Sequence, residues 1–405
     1  MEVENLKLLV ITEVFFPEEF LINDLVFTWK NEGRDVSVLT RNPSYPFGKI
    51  YPNYKNRFFQ KEEIKGVPVF RIQFIPKYNS NKFFKILNYL WNMFLGMLWA
   101  LKNGKKYDAI YIYQTGPLTF SAIGVLIKIL FKKKITIWTQ DVWPDTVFAY
   151  GIARKGVFKI IIEKFVKWVY CNCDNITVTS PGFIEIIKKY APSKNIQFIP
   201  QWSLTSKLKN SNNITNDIIF PGSFNFVFAG NIGKAQNLER LIEGFEIFYT
   251  NSANKEVWLN LIGDGSQLEF LKEKVYSQKI KNIKFWGRVN SSEMPLYYEK
   301  SDILIISLED SSIFNMTIPA KFQSYLNAEK PIFGVLNGEV ANLICDNNIG
   351  WVTSPNDINK IAEKLQEISI CELISVIEKA GNTARLLNNN FNREKIIVEI
   401  TSLIY

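Results

Sequence analysis

The chain has 405 residues, of which 47% are hydrophobic, with a formal net charge of +9 and no histidine. This length predicts at least two domains with full hydrophobic cores, and the absence of histidine excludes a Cys/His zinc site. The four cysteines show neither paired CxxC spacing nor the density of a disulfide scaffold, which predicts a reducing, cytoplasmic environment. A strand pattern begins almost at the N-terminus, so we expect no signal peptide.

Strand and helix patterns alternate through the first half of the chain, which predicts a parallel sheet covered by helices. Ligands of such sheets bind outside the carboxyl ends of the strands, and the first such loop is Glu13–Glu19. The predicted strands are Leu6–Thr12, Val36–Thr40, Val67–Ile75, Ala109–Tyr113, Ile135–Thr139, Ile176–Thr179 and Ile196–Ile199. The predicted helices are Phe20–Lys30, Phe83–Leu101, Pro117–Phe131, Val157–Tyr170 and Phe183–Tyr190.

A second alternation follows a stretch that is rich in Asn, Ser, Lys and Thr. We predict a first domain at 1–205, a linker at 206–223, a second domain at 224–385, and a final segment at 386–405 that packs back on the first domain. The fold class is α/β, with two Rossmann-like, doubly wound parallel-sheet domains facing across a cleft. The strands predicted for the second domain are Phe226–Ala229, Val257–Ile262, Ile283–Trp286, Ile303–Ser307, Pro331–Val335 and Gly350–Val352.

The stretch Asn225–Asn237 has the pattern of a strand, a glycine loop and a helix start. A short apolar run ends at Gly230, Gly233 follows, and Asn237–Tyr249 carries apolar residues at helical spacing. Free N–H groups and the positive end of a helix would then meet in one crevice, which predicts a diphosphate site. The alternative is an ordinary strand-to-helix turn that needs small residues.

Basic residues gather beside apolar helices in the first half. In Phe83–Leu101, Lys85, Asn88 and Asn92 fall along one helical face, so we interpret the segment as an amphipathic helix lying in an anionic membrane surface. A buried helix and a spanning helix are the alternatives. Lys132–Lys134 extends the basic character, and a nucleic-acid partner is disfavoured because the lysines border apolar helices rather than a groove interleaved with aromatic residues.

An ordered set of motifs gives the chain a family resemblance. It resembles the family 4 glycosyltransferases of the GT-B fold, and more narrowly the N-acetylfucosaminyl-type transferases of bacterial surface-polysaccharide synthesis. The motifs are Phe16–Asp24, Asn42–Gly48, Tyr113–Pro117, Trp138–Asp145, Phe198–Trp202, Gly230–Gly233, Gly263–Gly265 and Thr317–Leu326.

The resemblance implies a retaining transfer from a UDP-sugar to a polyprenyl-diphosphate-linked sugar acceptor, in capsule, O-antigen or exopolysaccharide synthesis. It also implies catalysis without a metal or other cofactor, by an enzyme attached peripherally to the inner face of the plasma membrane. The usual pair of glutamates would fall at Met316 and Ser324, which are not acidic, and this departure favours a donor that differs from a plain hexose, such as an N-acetylated deoxyhexosamine.

Candidate residues follow from these motifs and from their chemistry. Helix ends and basic side chains suit the donor diphosphate, and Lys321 and Arg288 are the basic candidates outside the glycine loop. The donor candidates are Gly230, Asn231, Gly233, Lys234, Gln236, Gly265, Arg288, Thr317, Lys321 and Ser324. The acceptor candidates are Asn42, Tyr45, Gln114 and Thr115.

Catalytic candidates are carboxylates, because no histidine is present to meet the incoming hydroxyl. Asp141 at a strand end is the first choice, its neighbour Gln140 is a further candidate, and Glu19 is the next carboxylate, with Glu18 and Asp24 as alternates. The alternative for Asp141 is a purely structural role, as an aspartate that caps a turn. Two rival functions stay open, a catalytically inactive scaffold of a polysaccharide assembly complex and a nucleotide-sugar epimerase of the same architecture.

Overall fold

A computed structural model describes residues 6–45, 48–78, 81–145, 156–204 and 218–404. The chain divides into two compact units. Unit 1 contains Met1–Pro200 and Glu394–Tyr405, and unit 2 contains Gln201–Arg393. Each unit is built on its own sheet, with helices covering the sheet.

The sheet of unit 1 has eight strands in the order β3-β4-β2-β1-β5-β6-β7-β8. All neighbouring strands are parallel except β3 and β4, and the strand order reverses between β1 and β5. The strands are β1 (Leu8–Thr12), β2 (Val36–Arg41), β3 (Phe59–Ile64), β4 (Val67–Ile72), β5 (Ala109–Gln114), β6 (Lys134–Thr139), β7 (Asn175–Val178) and β8 (Ile196–Phe198). The helices between them are α1 (Leu21–Asn31), α2 (Lys82–Asn103), α3 (Ser121–Phe131), α4 (Val157–Asn172) and α5 (Gly182–Tyr190).

Strand β3 has no counterpart among the predicted elements. Its side chains alternate between exposed and half-buried, and three of its six residues are charged, so it lacks the apolar run that marks the buried strands. It pairs antiparallel with β4 through a tight turn in which Lys65 and Gly66 both have positive φ angles, 49° and 78°. Charged side chains are typical of an edge strand, because they discourage pairing with other chains.

The sheet of unit 2 has six parallel strands in the order β11-β10-β9-β12-β13-β14, which reverses between β9 and β12. The strands are β9 (Phe224–Ala229), β10 (Val257–Ile262), β11 (Ile283–Gly287), β12 (Ile303–Ser307), β13 (Ile332–Val335) and β14 (Gly350–Thr353). The helices are α6 (Leu238–Asn251), α7 (Leu268–Ser277), α8 (Met294–Lys300), α9 (Ser312–Asn315), α10 (Ala320–Asn327), α11 (Glu339–Asp346), α12 (Ile358–Ser369) and α13 (Leu373–Asn390).

The core of unit 2 forms around β9, which lies between β10 and β12. Phe226 and Phe228 on this strand are fully buried, and they belong to one apolar cluster with residues of α6 and α12. A parallel strand that is covered on both faces needs such a near-continuous apolar run. The run therefore places the loop after β9 in the middle of the sheet edge, beside the point where the strand order reverses.

The C-terminal helix, α14 (Arg393–Ser402), packs on unit 1. The indole N–H of Trp29 donates to Thr401 Oγ1 at 2.8 Å, and the amide of Asn175 donates to the carbonyl of Leu403 at 2.7 Å. The change of unit falls at Glu394 rather than at residue 386, because Leu387 and Phe391 are buried in unit 2.

The other end of unit 2 begins within the predicted linker. Residues 206–217 lie outside the described ranges, but Phe220 is buried against Trp286, with ring centroids 5.3 Å apart. The chain therefore belongs to the packed part of unit 2 before residue 224. In the described ranges, no helix combines the length and the apolar character that crossing a membrane requires.

Candidate active site

The glycine loop of unit 2 begins where β9 ends. Gly230 has a φ of +141°, a conformation that L side chains rarely adopt. Its N–H donates to the carbonyl of Ile262 at 2.9 Å, and the N–H of Ile232 donates to the carbonyl of Asp264 at 2.8 Å. The loops after β9 and β10 therefore touch backbone to backbone, and a Cβ on Gly263 would lie 1.8 Å from the carbonyl oxygen of Gly230.

The helix predicted after this loop is confirmed, and it begins one residue later than predicted. The chain first makes a 3-10 turn at Lys234–Gln236, Asn237 then takes a left-handed conformation with a φ of 49°, and α6 begins only at Leu238. A left-handed residue reorients the chain, so α6 is not a direct continuation of the glycine loop.

A second helix, α10, contacts the end of β9. The backbone N–H of Ala229 donates to Tyr325 Oη at 2.9 Å, which ties α10 to the strand. In the first turn of α10, Lys321 Nζ donates to Gln236 Oε1, lies 4.0 Å from the ring centroid of Phe228, and would lie 3.3 Å from a Cβ on Gly230. The positive end of α10 and the ammonium of Lys321 are thus both at the glycine loop.

Among the described residues, no acidic side chain forms an ion pair with Lys321. Burial lowers the pKa of Lys321 to about 7, because loss of water destabilises the charged ammonium. Its contacts, an amide oxygen and an aromatic face, only partly replace that water. An anion bound at this point would stabilise the charged form and raise the pKa again, so the loop has the electrostatics of an anion site.

The remaining donor candidates have different roles. Asn231 and Lys234 are exposed on the loop, while Gly265 has no room for a side chain, since a Cβ there would lie 2.4 Å from the carbonyl of Ile232. Gly233 is less constrained, because a Cβ there would lie 2.5 Å from Asn231 Nδ2, which belongs to an exposed side chain that can move. These residues lie together around Gly230.

Three further donor candidates either lie away from that cluster or have side chains that already hydrogen-bond to the backbone of their own segment. Thr317 Oγ1 donates to the carbonyl of Ile313 at 2.7 Å, so its hydroxyl holds the turn that precedes α10. Ser324 lies almost one helical turn beyond Lys321, with its hydroxyl 3.5 Å from the carbonyl of Ala320. Arg288 is exposed just after β11, which is two strands from β9 and hence about 10 Å along the sheet edge.

Unit 1 has a pocket at the corresponding edge of its own sheet. The pocket has a volume of about 300 Å³ and lies at the carboxyl ends of β1, β2 and β5, where the strand order reverses. Its polar lining includes Glu13, Arg41, Lys85 and Thr115, and its aromatic lining is Phe20, Tyr45, Tyr78 and Tyr89. We name this the β1–β5 pocket.

Glu13 was not among the residues singled out from the sequence, although it opens the loop that follows β1. Its carboxyl is half-buried, and a Cβ on Gly116 would lie 3.2 Å from Glu13 Oε2. Burial raises the pKa of Glu13, and the nearby Glu18 raises it further, whereas Arg41 and Lys85 lower it. The signal that identifies Glu13 in a sequence is its position, directly after the strand at which the sheet order reverses.

Glu18 fixes the shape of the β1–β5 pocket. Its Oε1 accepts the backbone N–H groups of Ser44 and Tyr45 at 2.8 and 2.7 Å, and Arg41 Nη2 lies 3.9 Å away. Within the described residues, the buried Oε2 of Glu18 has no hydrogen-bond partner. The carboxylate thus holds the loop after β2, and Tyr45 with it, against the loop after β1.

The acceptor candidates divide into two pairs. Tyr45 and Thr115 line the β1–β5 pocket. Asn42 and Gln114 are buried behind it, where the Asn42 amide donates to Asn56 Oδ1 at 3.3 Å and the Gln114 amide donates to the carbonyl of Gly116. These two side chains therefore support the loops.

The catalytic candidates lie along the same sheet edge. Asp141 is half-buried directly after β6, and the backbone N–H of Gln140 donates to the carbonyl of Gln114 at 2.9 Å, which joins the ends of β5 and β6. Glu19 is exposed, whereas its neighbour Glu18 is buried. Asp24 lies within α1 and is half-buried.

A comparison with protein families bears on unit 2. Residues 210–386 match the family model described as "Glycosyl transferases group 1". Most of unit 2 is therefore similar to a group 1 glycosyltransferase domain. The match covers less than half of the chain and lies outside unit 1.

Two relatives match across most of the chain. The "Probable glycosyltransferase WbjE" of Pseudomonas aeruginosa is 22% identical over 326 residues, which are 78% of this chain and 79% of that protein. The "Putative colanic acid biosynthesis glycosyl transferase WcaI" of Escherichia coli K12 is 22% identical over 307 residues, 73% of this chain and 74% of that protein. This weak homology supports a glycosyltransferase and leaves the sugar class open.

Solved structures confirm the predicted GT-B fold class. Sucrose-phosphate synthase from Thermosynechococcus elongatus has a TM-score of 0.69 at 15% identity, covering 98% of this chain and 97% of that one. HepE of Anabaena, solved in complex with UDP and glucose, has a TM-score of 0.68 at 13% identity, covering 98% and 99%. At such identities the likeness shows the fold alone.

Proposed function

We propose that the protein is a retaining glycosyltransferase that moves a sugar from a UDP-sugar to a saccharide linked to a polyprenyl diphosphate. The observation that carries the proposal is Lys321, a partly desolvated cation held beside the glycine loop of a domain similar to group 1 glycosyltransferases. A buried ammonium is costly unless a negative group joins it, and a diphosphate supplies that group. The proposed donor is therefore held by Lys321, the amide groups of the loop and the first turn of α10.

UDP is the proposed nucleotide, by analogy with the solved neighbours. HepE was solved with UDP-glucose at 12% identity, and a matching trehalose-phosphate synthase from Burkholderia vietnamiensis is described as UDP-forming. The donor sugar we favour is an N-acetylated deoxyhexosamine, because Met316 and Ser324 stand where related enzymes carry glutamates. Surface polysaccharide is the proposed product, in line with the name of the relative WcaI.

We expect UDP-sugar binding to need no divalent metal, because Lys321 and the end of α10 supply positive potential at the loop. Isothermal calorimetry with UDP-glucose and UDP-N-acetylglucosamine, with and without EDTA, checks this expectation. The dissociation constant should be the same in both buffers. If the UDP-sugar binds only in the buffer without EDTA, the site needs a metal and this expectation is wrong.

The proposed location is the anionic inner face of the plasma membrane, and α2 provides the surface. Two of its polar residues face the protein, since Asn88 accepts the N–H of Ile75 and Asn92 donates to the carbonyl of Gln73, both at 2.8 Å. Many of its apolar residues face outward, among them Phe83, which is 69% exposed, and Phe94, which is 52% exposed, while Leu95, Trp99 and Ala100 are buried. A large exposed apolar face of this kind marks an interaction site.

Neighbouring helices extend this surface. α3 packs between α2 and α4 on one side of the sheet, and α4 also exposes Phe158, at 75%, and Ile161, at 57%. Lysines border the apolar residues, which favours a membrane with anionic lipids over another protein surface. These lysines are Lys102, Lys105, Lys106, Lys132, Lys133, Lys134, Lys159, Lys164 and Lys167.

We predict that the double variant Leu90→Asp, Phe94→Asp loses binding to phosphatidylglycerol vesicles, because it places two charges in the apolar face of α2. Wild-type binding should also weaken steeply with salt, since each lysine near an anionic surface contributes about 1 kcal/mol. Vesicle co-sedimentation at low and high salt measures both effects.

The matched control is Ile374→Asp, Ile377→Asp in α13, where the two isoleucines are 73% and 61% exposed and Glu372 and Glu378 lie nearby in sequence. That control should bind vesicles as the wild type does. If both double variants lose vesicle binding equally, or if wild-type binding does not depend on salt, α2 is not the membrane surface.

A further inference from the structure

We propose that the β1–β5 pocket binds the terminal sugar of the acceptor and that its charges select an uncharged sugar, with Glu13 and Lys85 as the residues that set this specificity. The inference rests on the proposed function and adds the substrate class of the acceptor. Four features of the pocket support it: its position, its lining, its charge balance and its relation to α2.

Position and size favour a single sugar. The pocket lies where the strand order of the unit 1 sheet reverses, which is where doubly wound sheets bind their ligands. Its volume of about 300 Å³ is at the lower end of the range for ligand pockets. Aromatic walls with a few convergent polar groups match the alternating apolar and hydroxyl faces of a pyranose ring.

The polar groups of the pocket are balanced in charge. Of the charged residues that line the pocket, Glu13 is acidic and Arg41 and Lys85 are basic; the buried carboxylate of Glu18, behind the lining and beside Arg41, brings the total to two charges of each sign. Arg41 is buried, lies 3.9 Å from Glu18 and stacks on Tyr78 with its guanidinium carbon 5.4 Å from the ring centroid, so it is already engaged. The two other charged residues of the lining, Glu13 and the exposed Lys85, are therefore the ones that we expect to contact a ligand.

Because of this charge balance, we expect the pocket to bind neutral sugars more tightly than acidic ones. Hydroxyl groups can donate to the Glu13 carboxylate and accept from the Lys85 ammonium, so a neutral sugar satisfies both without adding charge. A uronic acid would bring a third carboxylate while the number of cations stays at two, so it would compete with Glu13 for Lys85 and leave one negative charge uncompensated, which is unfavourable away from water. The pocket should therefore reject acidic sugars.

The same helix lines the pocket and forms the proposed membrane surface. Lys85, Asn88 and Tyr89 of α2 contact the pocket, while Phe83, Ile86 and Leu90 of that helix are exposed. A sugar in the pocket thus lies beside the helix that would meet the lipid, which fits an acceptor whose sugar is linked to a lipid through a short diphosphate.

The test uses two probes that differ only in the sugar, farnesyl-diphosphate-linked galactose and farnesyl-diphosphate-linked galacturonic acid. Binding is measured by ligand-observed NMR on the full-length protein without a donor, so it does not depend on catalysis. The wild type should bind the galactose probe at least tenfold more tightly than the uronic acid probe. Equal affinities would overturn the proposal.

Two variants test whether the β1–β5 pocket causes the preference for the galactose probe. Glu13→Gln should weaken binding of the galactose probe at least tenfold and should narrow or reverse the preference against the uronic acid, because one negative charge is removed. Lys85→Gln should weaken binding of both probes and increase that preference. Glu63→Gln, which removes an exposed carboxyl on β3, should behave as the wild type.

Failure of this inference can be distinguished from failure of the proposed function. If folded Glu13→Gln protein binds both probes as Glu63→Gln does, the acceptor sugar lies elsewhere, while UDP-sugar binding to unit 2 is unaffected. If the wild-type protein itself binds no UDP-sugar, the proposed function is wrong. Thermal melting of each variant shows whether it is folded.

Discussion

Lys321→Met is expected to weaken UDP-sugar binding by at least about 100-fold while raising the melting temperature, because the same buried ammonium that binds the diphosphate destabilises the empty fold. The ordinary pKa of a lysine is near 10.5, and burial lowers that of Lys321 to about 7. Between these two pH values the unfolded chain binds more protons than the folded one, so stability falls as the pH drops from 10.5 towards 7. Methionine removes that penalty and keeps the apolar contact with Phe228.

The pH dependence of donor binding gives a second signature of Lys321. Below pH 7 the ammonium is already charged, whereas above pH 7 binding must take up a proton to form it. Wild-type affinity for a UDP-sugar should therefore fall as the pH rises through about 7, and Lys321→Met should lack this dependence. Calorimetry in buffers of different ionisation enthalpy measures the proton uptake directly.

A matched control is Lys330→Met, a lysine in the same unit that is half-buried and donates to the carbonyl of Glu299 at 2.8 Å. It should leave donor affinity unchanged. If Lys321→Met binds the donor as tightly as Lys330→Met does, the diphosphate does not lie at the glycine loop as proposed.

Asp141→Asn is expected to lower kcat by about 10²- to 10⁴-fold with little change in donor affinity, because the carboxylate is proposed to orient and polarise the acceptor hydroxyl in the transition state. In a retaining transfer the hydroxyl attacks the face from which the nucleotide leaves. The leaving diphosphate then takes up the hydroxyl proton, so little general-base assistance is needed. Transfer rate and donor affinity, measured on one preparation, separate the two effects.

Asp145→Asn is the control for Asp141→Asn, since Asp145 lies in the same loop but accepts a hydrogen bond from Tyr190 Oη at 2.8 Å. It should keep most of the activity. Met316→Glu and Ser324→Glu should not rescue Asp141→Asn. Full activity in Asp141→Asn, or an inverted product by NMR, would remove Asp141 from this role and turn attention to Glu19, Glu18 and Asp24.

The fold was largely predictable from the sequence because its main strands are buried on both faces. The apolar run of β9 and the positions of Gly230 and Gly233 predict a buried strand followed by a loop, while the central position of that strand in the sheet is known only from the structure. Strand β3 was not predictable in this way, since an edge strand gains its stability from pairing with β4 and carries charged residues.

The candidate site was less predictable because burial of its charged groups depends on distant residues. Glu18 and Glu19 are adjacent in sequence, yet only Glu18 is buried, owing to the N–H groups of Ser44 and Tyr45. Likewise, the polar stripe of α2 is visible in the sequence, but the pairing of Asn88 with Ile75 decides that it faces inward. The altered pKa of Lys321 also depends on tertiary packing.

The most direct test of the central claim is a transfer assay with the full-length protein in EDTA. A panel of UDP-sugars is incubated with farnesyl-diphosphate-linked galactose and N-acetylglucosamine, and products are detected by mass spectrometry. We predict one UDP-sugar that yields UDP together with an acceptor extended by one sugar, and no product with Lys321→Met. A wild-type protein that binds a UDP-sugar but yields neither a transfer product nor free UDP with any member of the panel would contradict the enzyme assignment and favour an inactive scaffold.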